Sequence, residues 1–75
     1  MEPREAALQV LRDDPDAELH WTVIWDRALK AGYVDPFTQP RARDEVVAAL
    51  AAESKGGNVE KTSKGTYRLA RASQD

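Results

Sequence analysis

Apolar residues recur at helical spacing near the start of the chain, where Ala7, Leu8, Val10 and Leu11 gather on one face of residues 5–12. Pro3, with Glu2 and Glu5, suits the first turn of that helix. Asp13-Asp14-Pro15-Asp16 ends it, because proline cannot continue the hydrogen-bond ladder and aspartate favours a turn. Glu18-Leu19-His20 reads as a short extended stretch with Leu19 inward. A second helix is expected over residues 21–31, with Trp21, Ile24, Trp25 and Ala28 as its apolar stripe and Leu29 at the edge. His20 falls at its N-cap, Lys30 in its last turn and Gly32 where a left-handed cap belongs. Residues 33–37 form a connector with apolar anchors of its own, Tyr33, Val34 and Phe37.

The third helix is expected to begin near Thr38-Gln39-Pro40 and to run to about Ser54. Thr38 or Gln39 would cap it, Pro40 would lie in the first turn, and Val46, Val47 and Leu50 would face inward. Lys55-Gly56-Gly57-Asn58 breaks it. After the break the period changes to two: Val59, Tyr67 and Leu69 alternate along two strands joined by Ser63-Lys64-Gly65. Helix, short strand, helix, helix, hairpin is the order of a winged helix-turn-helix, an α+β fold that is mainly α. Residues 1–75 are read as one such domain, with a core of about 4–71 and a frayed tail over 72–75.

Composition narrows the functional classes. The chain has no cysteine, which removes disulfides, thiolate metal sites and thiol nucleophiles together and is compatible with the cytoplasm. Its one histidine has no catalytic partner set around it, and Asp13, Asp14 and Asp16 lack the spacing of a calcium loop. Neither an enzyme nor a cofactor is expected. No apolar run reaches membrane-spanning length, and the opening residues lack an export signal, so the expected location is cytoplasmic, at the nucleoid if the domain binds DNA. Net charge is only −2, but its distribution is uneven. Up to Phe37 eight acids face four bases, whereas from Lys55 to Arg71 five bases face Glu60 alone. A partner meets a face rather than an average, so this asymmetry outweighs the sum.

Ala6-Ala7-Leu8-Gln9-Val10-Leu11, the run from Leu19 to Leu29 and Gly32 together resemble the start of the HARE-HTH winged-helix family. The ending, a polar-glycine turn followed by Thr66-Tyr67-Arg68-Leu69, is similar to that family's closing wing strand. The N-terminal domain of the RNA polymerase delta subunit belongs to the same group. The chain departs from the family's pattern at Pro36-Phe37-Thr38-Gln39-Pro40 and at Val59, where a Gly-Lys-Thr-Pro-like stretch and an aromatic are common. The resemblance implies either a DNA-binding module, as in chromatin and restriction systems, or an adaptor of the transcription machinery.

In a helix-turn-helix the third helix enters the major groove and the wing touches the backbone or the minor groove. Helical spacing places Arg41, Asp44, Glu45, Ala48, Ala52 and Lys55 outward, with Arg43 beside the buried stripe and long enough to reach its edge. Acids and bases are mixed on that face. The wing is more uniform, since Lys61, Lys64 and Arg68 lie close in sequence, although alternation need not put Lys61 and Arg68 on one side. The residues expected to contact duplex DNA are therefore Arg41, Arg43, Lys55, Lys61, Lys64 and Arg68, in a monomer without a membrane partner. Trp21, Trp25 and Tyr67 are read as core rather than as stacking platforms, and Val23 as a lone exposed apolar residue. The competing reading is a docking module whose acidic first half meets a transcription or restriction protein.

Overall fold

The computed structural model describes residues 1–70; the expected tail, Arg71 included, lies outside them. The elements are α1 (Pro3–Asp13), β1 (Leu19–His20), α2 (Trp21–Lys30), α3 (Ala42–Gly56), β2 (Val59–Ser63) and β3 (Thr66–Leu69). The three strands form an antiparallel sheet in the order β1-β3-β2, so the closing strand is central. Three helices and this sheet make a small α+β winged helix, as the hydrophobic pattern implied.

Each helix ends for a local reason. Pro3 occupies the first helical turn of α1, where its missing N–H costs nothing. The His20 side chain caps α2 by accepting from the Thr22 amide at 3.3 Å. At the far ends of α2 and α3, Gly32 and Gly57 adopt φ of 76° and 85°. The amides of Tyr33 and Asn58 then reach back to the carbonyls of Ala28 and Glu53, which closes both helices as Schellman turns.

The core is one cluster. Val10 and Leu11 of α1, Ile24 of α2, Val46 and Leu50 of α3 and Val59 of β2 are fully buried, with Leu19 and Tyr67 closing it from the sheet. Register explains the sheet's contribution: Leu19 faces Tyr67 and Val59 faces Leu69, so these four side chains share the face turned to the helices. The opposite face carries Glu60, Thr66 and Arg68.

Four expectations are corrected. α3 starts at Ala42, not near residues 38–40. Asp35 captures the segment meant to start it: its carboxylate accepts from the Phe37 amide, and its carbonyl accepts from the amides of Thr38 and Gln39. The Gln39 side chain is spent on the Asp35 amide and the Met1 carbonyl, so neither Thr38 nor Gln39 caps the helix and Pro40 precedes it. Phe37 is no anchor; it is 96% exposed at the tip of that turn, while Val34 is buried. Val47 is half-buried on the flank of α3 rather than inward. Trp21 and Trp25 are half-buried, packed on the core from outside it.

Glu53 is buried on the same stripe as Val46 and Leu50, a position the sequence reading passed over. Its carboxylate accepts from Arg4 Nε and from Asn58 Nδ2, each at 2.6 Å, which joins α1, α3 and the start of the hairpin. A buried carboxylate is tolerated only when charged or amide donors replace its water. The Asn58 and Arg4 bonds hold the Glu53 carboxyl below its ordinary value, outweighing the opposing effect of burial.

Three outcomes follow from this packing. Leu50→Ala should cost about 2–5 kcal/mol in denaturant melts, because a fully buried leucine leaves a cavity. Gly65→Ala should cost about 1–2 kcal/mol: φ is 73° there, and an added Cβ would meet His20 Nε2 at 2.8 Å. Glu53 is depressed in the folded state, so its contribution is fully present above the ordinary value of about 4.5 and is lost as pH falls through its lower folded value. Glu53→Gln should therefore lower thermal stability at neutral pH and shrink the difference between neutral and acid melts.

Candidate nucleic-acid interface

Ion pairing sorts the cations of this chain into two groups. On α1 and α2 every base is engaged: Arg4 by Glu53 and Glu5, Arg12 by Glu5, Arg27 by Asp14 and Lys30 by Asp26. On α3 and the wing, Arg41, Arg43, Lys55, Lys61 and Lys64 are exposed and make no ion pair among the described residues. Unpaired positive charge is thus confined to the two elements that a winged helix presents to a partner.

Arg68 belongs to the first group. Its guanidinium lies 2.5 Å from Glu60 across the β2–β3 pair and is half-buried, on the sheet face opposite Lys61. That pair raises the Arg68 pKa above its ordinary value, and the fields of Glu18 and Asp16 act in the same direction. Surrounded by acids, Arg68 braces the hairpin and offers little charge outward. Lys61 sits opposite Tyr67 on the helix-facing side, at the open end of the sheet. An open cleft of about 650 Å³ between the end of α3 and the hairpin is lined by Ser54, Lys61, Thr62 and Arg68 among others.

The remaining bases differ in how they are held. Arg41 is the N-cap residue of α3, outside the helix proper, with no capping bond from its side chain. Lys55 lies in the last turn, about 20 Å along the helix from Arg41 by the 1.5 Å rise, so it joins a different end of the face. Lys64 is at the wing tip, in the turn whose Gly65 carbonyl accepts the Trp21 amide at 2.9 Å. Arg43 has the most defined environment, since its guanidinium carbon lies 4.9 Å from the centre of the Trp21 ring. The ring of His20 also packs at this junction, 5.7 Å from Trp21 centre to centre.

The wing tip, the start of α2 and the start of α3 therefore converge at Trp21. Asp44 and Glu45, exposed in the first turn of α3, lie roughly 100° and 200° around the helix from Arg43. They point away from this junction and suit the positive end of the α3 dipole. Sequence reasoning found five of the unpaired bases but missed Trp21, whose position directly after the N-cap was the available signal. Among the described residues no group of side chains is arranged to hold a metal ion, and no helix is long and apolar enough to cross a membrane.

No curated protein and no solved structure shows significant similarity to the chain. Residues 1–72 match the profile of the HARE-HTH family, whose description names the HTH domain of ASXL and restriction endonuclease proteins, a DNA-binding helix-turn-helix family to which this chain belongs.

Proposed function

We propose that this domain binds duplex DNA, with the start of α3 in the major groove and the wing tip on the backbone. One observation carries the reading: the exposed bases left without an ion pair are those of α3 and the wing, while every base of α1 and α2 is compensated. Desolvating a cation that already has a partner gains little, whereas an unpaired one releases condensed counterions when it meets a phosphate. Arg41, Lys61 and Lys64 serve as phosphate contacts, Lys55 extends the track, and Arg43 is placed to reach base edges. Arg68 supports the hairpin from behind. The role in the cell is sequence recognition within transcription, chromatin or restriction-type systems.

A second reading has its own observation. Phe37 is 96% exposed, yet its backbone is fixed by the Asp35 turn, so the chain presents a large apolar side chain to solvent in a set conformation. Such a residue suits a protein contact, and with the acidic first half it supports an adaptor role.

The two readings separate in an NMR titration of the protein with a short duplex at low and moderate salt. DNA binding predicts salt-sensitive shifts at Arg41, Arg43, Lys61 and Lys64 and at the Trp21 indole, with Phe37 unmoved; unchanged spectra at low salt would leave the adaptor reading. Lys64→Ala should weaken binding to all duplexes alike and reduce the salt slope by about one. Arg68→Gln should leave the slope unchanged and lower thermal stability instead.

A further inference from the structure

Arg43 differs from the other unpaired bases in one respect. Among the described residues it alone rests on an aromatic ring, that of Trp21. The ring is itself fixed from two further sides. The Trp21 amide donates to the Gly65 carbonyl of the wing turn at 2.9 Å. The Gly65 backbone lies so close that a Cβ there would approach Trp21 Cδ1 to 3.3 Å, and the His20 ring tilts against the indole at 35°.

We infer that Trp21 is a positioning residue that sets the specificity of this site, holding Arg43 at a fixed offset from the wing so that base reading and wing docking act as one unit. The inference rests on the DNA-binding reading above. Its physical basis is the geometry of stacking. A guanidinium lying on an indole uses its π face, while its five N–H donors lie in the plane and stay available. An arginine on a flexible stem must be ordered when it forms two parallel bonds to guanine O6 and N7; one already stacked has lost part of that freedom beforehand. Arg41, Lys55, Lys61 and Lys64 have no such support, which suits contacts to phosphate, where orientation matters less.

A purely structural role for Trp21 would look different. The ring is half-buried rather than part of the enclosed core, so much of its surface meets Arg43, His20 and Gly65 rather than the apolar cluster. Its loss should therefore fall on what Arg43 does, rather than on all binding equally.

The test is a double-mutant cycle read as duplex affinity. Wild type, Trp21→Leu, Arg43→Ala and the double variant are titrated with a mixed-sequence duplex and with a duplex of equal length made only of A·T pairs. Wild type should prefer the mixed duplex. Arg43→Ala should lose that preference, by roughly 5- to 100-fold. Trp21→Leu should lose most of it with Arg43 still present, the double variant should be no weaker than Arg43→Ala, and Trp21→Phe should restore part of it. Losses that multiply independently, or a wild type that binds both duplexes equally, would overturn the inference while leaving DNA binding intact. A wild type that binds neither duplex would overturn the DNA reading and this inference with it. If Trp21→Leu does not fold, the side-chain protons of Arg43 in the unmodified protein decide: ring-current shifts in the free and bound states support the stack, and random-coil shifts overturn it.

Discussion

The hydrogen bond from the Trp21 amide to the Gly65 carbonyl determines where the wing sits. Without it, a two-stranded hairpin would be tied to the helices only through Val59, Tyr67 and Leu69, at the end farthest from its tip. With it, the turn is held at the start of α2, and the short strand β1 completes the sheet by pairing Leu19 and His20 with Tyr67 and Thr66. Glycine at position 65 is what lets the backbone come this close, both for its positive φ and for the space beside His20 and Trp21. Because the indole at this junction also carries Arg43, the placement of the wing and that of the first turn of α3 are mechanically linked.

A second constraint is the smallness of the chain. A domain of this size buries little surface per residue, so its charged groups must be arranged to avoid costing stability. In the first half they pair with one another, and Glu53 is buried only because Arg4 and Asn58 meet it. Compensation ends at α3 and the wing tip. Positive charge left uncompensated on one side of a nearly neutral molecule is the pattern expected where an anionic partner completes the pairing.

Much of this was legible in the sequence because it depends on local chemistry. The stop at Pro15, the caps at Gly32 and Gly57, the His20 N-cap and the alternation of Tyr67 with Leu69 each follow from a residue's own conformational preferences. What was not legible depends on partners distant in sequence. Thr38 and Gln39 have the composition of a helix start, yet Asp35 takes their hydrogen-bonding groups first, and Ala42 begins the helix instead. Arg68 counts as a basic wing residue until strand register sets it against Glu60. Trp21 fits a core stripe by spacing, but only the packing of three elements shows that one side of its ring holds a guanidinium. The acid on the apolar stripe of α3 is the one such feature that spacing alone could have exposed, since Glu53 follows Leu50 by three residues and so requires a buried partner.

The central claim is that the unpaired bases of α3 and the wing form one electrostatic face for duplex DNA. The most direct measurement is the affinity of the unmodified protein for a single duplex across a series of salt concentrations. Three to four phosphate contacts predict a linear fall of log K with log salt, with a slope of about −3. Binding that is absent at low salt, or a slope near zero, would contradict the claim.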